Sequence, residues 1–154
     1  MRFYGRKLEH LKSLLERYPQ IASMISLAGE VSHQKAIEKQ RNSTILLLLE
    51  WTDPRAKGVY TGKLFEYLGA RRPILAIGPK TGVVEELLNE TKAGVLVSTA
   101  SEVKTVLAEW LEAWREKSNV PFNGDEQILK QHTWENRARK LADVLAGVMG
   151  ETGQ

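Results

Sequence analysis

Two unbroken apolar runs constrain this chain more than any other feature: Thr44-Ile45-Leu46-Leu47-Leu48-Leu49 and Pro73-Ile74-Leu75-Ala76-Ile77. Each has the length of a strand, and each is apolar at successive positions instead of alternating, so both of its faces must be buried. That pattern arises where helices cover both sides of a parallel sheet, and the two runs are expected to be central strands. Shorter apolar stretches at Arg2 to Tyr4, Ala22 to Leu27 and Gly94 to Val97 bring the expected strands to five. Helical patterns lie between them: Leu8, Leu11, Leu14 and Leu15 share one face, as do Leu64, Tyr67 and Leu68, with further helices at Val83 to Asn89 and Glu102 to Lys117. The alternation predicts an α/β fold with a doubly wound parallel sheet, right-handed crossovers and a ligand crevice at the carboxyl ends of the strands.

The 154 residues suit one domain. Its main body is expected over residues 1–120, with a helical extension over 121–150 packing on the same domain and a frayed tail at 151–154. In the extension, Trp134, Leu141, Val144, Leu145 and Val148 form an apolar stripe, and Ser118 to Asn123 reads as a linker ahead of it. The net charge of +3 comes from lysines and arginines interleaved with acids, which argues for no nucleic-acid partner. The chain has no cysteine, no apolar segment of membrane-spanning length, and no apolar h-region after Met1-Arg2-Phe3-Tyr4-Gly5-Arg6. A cytoplasmic location is the expectation.

Among the strand-to-helix loops, Gly58-Val59-Tyr60-Thr61-Gly62-Lys63 carries the most chemistry. Thr61 or Gly62 can cap the helix that follows. A helix start offers unpaired N–H groups and partial positive charge to a phosphate, Gly62 lets the backbone come close, and Lys63 adds a full charge. Glu66, one turn later, can accept paired hydrogen bonds from ribose hydroxyls. Taken alone, a Lys-x-x-Glu step is more often a surface ion pair. The loop Gly78-Pro79-Lys80-Thr81-Gly82 either touches phosphate or merely turns the chain. Trp51, Asp53 and Arg55 lie in a long irregular loop with no readable role. His33 reads as a helix-start surface residue, and Trp110 with Trp114 as a packing stripe.

The longer string Tyr60-Thr61-Gly62-Lys63-Leu64-Phe65-Glu66-Tyr67-Leu68-Gly69-Ala70-Arg71-Arg72-Pro73-Ile74-Leu75-Ala76-Ile77 resembles a signature of retaining GT-B glycosyltransferases of the family 4-like type, within their C-terminal, donor-binding domain. Leu27-Ala28-Gly29-Glu30-Val31-Ser32-His33 and Gly94-Val95-Leu96-Val97 are similar to two further segments of that domain, so the likeness spans most of the chain. It implies a Rossmann-like fold forming one half of a GT-B enzyme. By position, Glu66 resembles the second glutamate of the family's Glu-x7-Glu motif, which binds the donor ribose, and Lys63 takes the neighbouring phosphate-side place. Counting back eight positions reaches Gly58, so the first glutamate, directed at the donor sugar, has no counterpart. Arg6 and Lys12 resemble the basic pair that neutralises the donor phosphates, and Val31 and Ser32 belong to the loop that supports the nucleotide base.

The resemblance implies transfer of a hexosyl group from a nucleoside diphosphate sugar to a hydroxyl acceptor, in cell-envelope polysaccharide or glycolipid synthesis. Arg6 and Lys63 would be catalytic through the leaving diphosphate, with Glu66, Gly62, Thr61, Val31, Ser32 and Lys12 binding the donor. No metal and no cofactor besides the donor are expected. The acceptor-binding N-terminal domain is the missing partner, and the full enzyme has room for peripheral attachment at the inner membrane face. A non-catalytic nucleotide-binding or scaffold module and half of a nucleotide-sugar epimerase stand as alternatives.

Overall fold

A computed structural model of the chain describes residues 1–51, 53, 55 and 58–151. Residues 152–154, the rest of the expected tail, and positions 52, 54, 56 and 57 of the irregular loop lie outside the described residues. The chain divides into two compact units, Met1–Asn42 and Ser43–Gln154.

In the first unit, β1 (Arg2–Phe3) and β2 (Ser26–Leu27) pair in parallel, with Arg2 opposite Ser26 and Phe3 opposite Leu27. The ladder continues past the strands, because the Gly5 N–H donates to the Gly29 carbonyl at 2.8 Å. Three helices complete the unit: α1 (Glu9–Arg17), α2 (Pro19–Ala22) and α3 (His33–Arg41). The apolar run at Ala22 to Leu27 does not all become strand. Pro19 at the first helical position has its φ already set for a helix, so α2 forms there and the strand begins only at Ser26.

The second unit runs β3 (Leu46–Leu49), α4 (Gly62–Ala70), β4 (Ile74–Ile77), α5 (Val83–Thr91), β5 (Gly94–Val97), α6 (Ala100–Lys117), α7 (Glu126–Gln131) and α8 (Trp134–Glu151). Its sheet has the order β3-β4-β5, every pair parallel, with Ile74 facing Leu46 on one side and Gly94 on the other. The fold is thus α/β and Rossmann-like, with α4 and α5 as the crossovers. The central strand is covered on both faces: Ile74 and Ala76 are 0% exposed and Leu75 is 3% exposed. Leu64 and Leu68 of α4, Leu87 and Leu88 of α5, and Leu129 of α7 belong to the same core. Each such side chain contributes roughly 1.5–3 kcal/mol on leaving water.

Helices α4 and α5 both stop at a residue in left-handed conformation, Arg71 (φ 55°) and Lys92 (φ 52°). A non-glycine residue costs on the order of 1 kcal/mol there. At Arg71 the cost is offset by its guanidinium, whose Nη1 donates to the Leu68 carbonyl at 2.5 Å while Nε and Nη2 reach the two oxygens of Glu126 at 2.6 and 2.9 Å. The segment read as a linker is built into the unit. Val120 is buried, Phe122 packs on the core, and the Asp125 N–H donates to the Thr91 carbonyl at 2.8 Å. Helix α8 places the Arg137 guanidinium 4.1 Å from the centre of the Phe65 ring. Its stripe of Trp134, Leu141, Val144, Leu145 and Val148 is exposed.

Two glycines test this packing with opposite signs. A Cβ on Gly94 would lie 2.1 Å from the Ile74 carbonyl oxygen, whereas one on Gly69, within α4, meets nothing within 4 Å. Gly94→Ala is expected to lower the urea midpoint by the equivalent of about 1–3 kcal/mol or more. Gly69→Ala is expected to raise it by about 0.5–1 kcal/mol, as alanine replaces glycine in a helix interior.

Candidate functional site

Parallel crossovers deliver the starts of α4, α5 and α6 to one edge of the sheet, at the carboxyl ends of β3, β4 and β5. The three starts are chemically different. At α6 the anion is internal: Thr99 and Glu102 form a capping box, and Glu102 Oε2 accepts from the Ser98 and Thr99 N–H groups at 2.8 and 3.0 Å. Lys80 is ion-paired with the same carboxylate. That pairing first, and the backbone donors after it, hold the Glu102 carboxyl down at about 2. The loop Gly78 to Gly82 therefore has its one lysine spent on α6, which argues for the turn over a phosphate contact. At α5 the cap is Gly82, with no side-chain cap bond, and Glu85 and Glu86 occupy the first turn.

At α4 the cap residue Thr61 is extended (φ −84°, ψ 145°), and its side chain makes no cap hydrogen bond. Its Oγ1 is buried without a hydrogen-bond partner among the described residues. Gly62 and Lys63 are exposed in the first turn, and Glu66 is half-buried one turn on. Four of the expected donor-binding or catalytic residues, Thr61, Gly62, Lys63 and Glu66, are thus together on one helix start.

The end of β3 and the start of α5 hold a residue the sequence reading passed over. Glu50 ends β3, its N–H donating to the Ile77 carbonyl at 2.9 Å. Its side chain lies over Gly78, where a Cβ would come within 2.4 Å of the Glu50 Cβ. Its Oε1 is buried without a hydrogen-bond partner among the described residues, and burial pushes its carboxyl up from the ordinary value. A cavity of about 20 Å³ opens here, lined by Glu50, Trp51, Thr81, Gly82 and Glu85 among others. The signal was available: Glu50 is the first carboxylate after an unbroken apolar strand, the place where parallel sheets bind ligands. Asp53 also lines this cavity, but it is closed on its neighbour, with Arg55 Nη2 2.6 Å from Oδ2. Arg55 lowers the Asp53 carboxyl, and Asp53 raises the guanidinium in return.

The remaining expected residues belong to the first unit. Arg6 donates from Nε to Glu30 Oε1 at 2.7 Å, with Nη2 2.6 Å from the same oxygen, and this pairing raises the guanidinium. It ties the loops after β1 and β2 together. Ser32 is the cap of α3, its Oγ accepting from the Lys35 N–H at 3.4 Å, and His33 is the first residue of that helix. Val31 is half-buried beside it, and Lys12 is exposed on α1. On α6, Trp110 is half-buried and Trp114 exposed.

Residues 2–143 match the model of a family described as glycosyl transferase-like. The chain belongs to that family. The matched residues fall in both units. The chain is also similar to a histidine--tRNA ligase of Mycoplasma genitalium, at 24% identity over 186 aligned positions that take in 99% of this chain and 44% of that protein. It spans less than half the length of that relative. No solved structure matches it. Among the described residues no helix is long and apolar enough to cross a membrane, and no three His, Cys, Asp or Glu side chains gather as a metal site.

The Glu102 lock has a definite pH signature. Its folded pKa lies below the unfolded value, so its stabilisation is complete above about 4.5 and is lost as pH falls toward about 2. In a carboxyl NMR titration Glu102 should show its midpoint near 2, and Lys80→Ala should move that midpoint up toward the ordinary glutamate range.

Proposed function

We propose that this chain is the nucleotide-sugar-binding part of a retaining glycosyltransferase, with α4 holding the diphosphate and ribose of the donor. The observation that carries this reading is the start of α4. Thr61 leaves the first-turn N–H groups without a side-chain acceptor, and Lys63 stands exposed in that turn. An open helix start attracts an anion through those N–H groups and the helix dipole. With no anion present, a lysine there costs about 0.3–1 kcal/mol. A diphosphate turns that cost into a charge-assisted contact. Glu66 is one turn away on the same helix, the separation expected between a diphosphate and the hydroxyls of its ribose.

In the reaction the bond between the anomeric carbon and the phosphate oxygen breaks, its electron pair leaving with the diphosphate, and a bond to the acceptor hydroxyl oxygen forms as that hydroxyl passes its proton to the departing diphosphate oxygen. Charge develops on the departing nucleoside diphosphate. Lys63 and the α4 N–H groups stabilise it where it forms, which is what lowers the barrier. Arg6, in the first unit, is a separate candidate for binding an anion, which must share or displace Glu30 to engage it. A hexosyl group, a hydroxyl acceptor of cell-envelope polysaccharide or glycolipid type, and a cytoplasmic site of action complete the reading. The acceptor is held by a companion domain, and the uncovered apolar stripe of α8 supports a larger assembly. By itself the chain binds donor and transfers nothing.

Calorimetric titration of the 154-residue chain with uridine and guanosine diphosphates tests the site. One of them should bind, and Lys63→Ala and Glu66→Ala should each weaken it about tenfold or more, the loss of one charge-assisted hydrogen bond. Lys63→Ala should leave the unfolding midpoint unchanged or slightly higher, because it removes a cation from a helix start. Absence of binding, or binding indifferent to both substitutions, sinks the donor-site reading and favours a scaffold module.

A further inference from the structure

Helix α7 is held differently at its two ends. At its start the Asp125 N–H donates to the Thr91 carbonyl at 2.8 Å, the Asp125 carboxylate accepts from the Gln127 and Ile128 N–H groups at 2.9 and 3.2 Å, and Glu126 holds Arg71 of α4. At its end stands His132, and the turn into α8 follows at once, with the Lys130 carbonyl accepting from Thr133 Oγ1 at 2.9 Å and from Asn136 Nδ2. The His132 ring is 20% exposed, and its Nε2 is buried without a hydrogen-bond partner among the described residues. Glu90 Oε2, in the last turn of α5, lies 3.6 Å from that nitrogen. Several charged groups near this corner are engaged elsewhere: Asp125 caps α7, Glu126 and Arg71 pair with each other, and Arg137 of α8 lies over the Phe65 ring. Lys130, Lys92 and Glu135 are the neighbouring charges along the chain, and among the described residues Glu90 is the carboxylate within ion-pair distance of the ring.

A separation of 3.6 Å is beyond a good hydrogen bond but within ion-pair reach. A neutral ring gains little from it: Nε2 either turns a lone pair toward a carboxylate or carries an N–H with no acceptor at hydrogen-bond distance. A protonated ring supplies a donor and a countercharge together, and a small approach of the half-exposed Glu90 side chain completes the bond. Burial acts in the opposite sense, because it favours the neutral ring. Here the ring keeps some contact with water and faces a carboxylate, so the attraction decides the sign.

We propose that His132 and Glu90 form a proton-operated clamp on the corner between α7 and α8, closed on the acid side of the histidine range and open on the alkaline side. The attraction lasts only while the ring carries its proton, so the stabilisation is present at the lower pH and is lost as pH rises. The clamp closes the corner from which α8 and its exposed apolar stripe depart, so pH sets how firmly that helix is anchored to the unit. The proposal does not rest on the donor-site reading.

Urea unfolding of the full chain at about pH 5.5 and about pH 8, on either side of the histidine range, tests the clamp. The folding constant of the wild type relative to Glu90→Gln should be about two- to fivefold larger at the lower pH than at the higher, the worth of a partly exposed ion pair. The same ratio taken against His132→Gln should change alike, and in the double variant the two effects should not add. His10→Gln, in the first unit, should leave the pH dependence as it is in the wild type. Should His132→Gln fail to fold, Glu90→Gln carries the test, since it alters a half-exposed carboxylate. A ratio equal at the two pH values, or smaller at the lower one, shows a ring held neutral by burial and overturns the clamp.

Discussion

The approach of β5 to β4 is the contact on which the ligand edge depends. Gly94 sits so close to the Ile74 carbonyl that no side chain fits between them, and this closeness lets β4 pair on both sides while its own side chains vanish into the core. With β4 held from both flanks, the residues just beyond it are held as well. The Gly78 N–H donates to the Val97 carbonyl at 3.0 Å, and the Gly78 carbonyl accepts from Ser98 Oγ at 2.6 Å. Gly78 is the floor beneath Glu50, and Ser98 feeds the Glu102 lock at the start of α6. Sheet pairing, loop geometry and carboxylate placement are therefore one connected arrangement.

Much of this was legible in the residues, for a physical reason. A strand buried on both faces admits only apolar side chains, so Ile74–Ile77 announces itself as the central strand; Leu46–Leu49 was readable as a strand but, against the expectation of a central place, lies at an edge of the three-stranded sheet with Leu49 exposed, and Gly94–Val97 was readable in full. The start of α4 was legible because Thr-Gly-Lys after a strand is local chemistry. What escaped was set by contacts distant in sequence. Ser118 to Asn123 has the composition of a linker, yet Phe122 finds a place on the core that only the folded unit provides. Glu50 was passed over, and the burial of its Oε1 without a hydrogen-bond partner among the described residues emerges only in the folded unit, where its side chain lies over Gly78. The stripe on α8 has the periodicity of a buried face, but periodicity does not say which surface covers it, and in this unit it is exposed.

The three helix starts along the edge show how one backbone feature acquires different functions. Every α-helix presents unpaired N–H groups at its start, and the side chains around them decide what fills the vacancy. At α6 the chain fills it with Glu102 and neutralises the result with Lys80, which makes the corner rigid and closes it to any other anion. At α5 the first-turn glutamates repel anions without capping the helix. Of these three described starts, α4 combines an open cap with a first-turn cation.

The same edge also holds residues that stability alone would not choose. In the core the fold satisfies a buried threonine hydroxyl: Thr91 is 0% exposed, and its Oγ1 donates to the Leu87 carbonyl at 2.6 Å. Thr61 has the same hydroxyl at a helix cap, where an acceptor would stabilise the first turn, and uses it for nothing within the described residues. Lys63 puts a cation against the positive end of a dipole, and Glu50 turns a carboxylate oxygen into a notch without a donor. Each choice costs free energy in the empty protein. On the proposed donor-site reading, a diphosphate would supply an acceptor for Thr61 and countercharge for Lys63. On that reading one diphosphate would relieve both penalties at the start of α4, so a single ligand accounts for these two local violations more economically than two unrelated defects of folding.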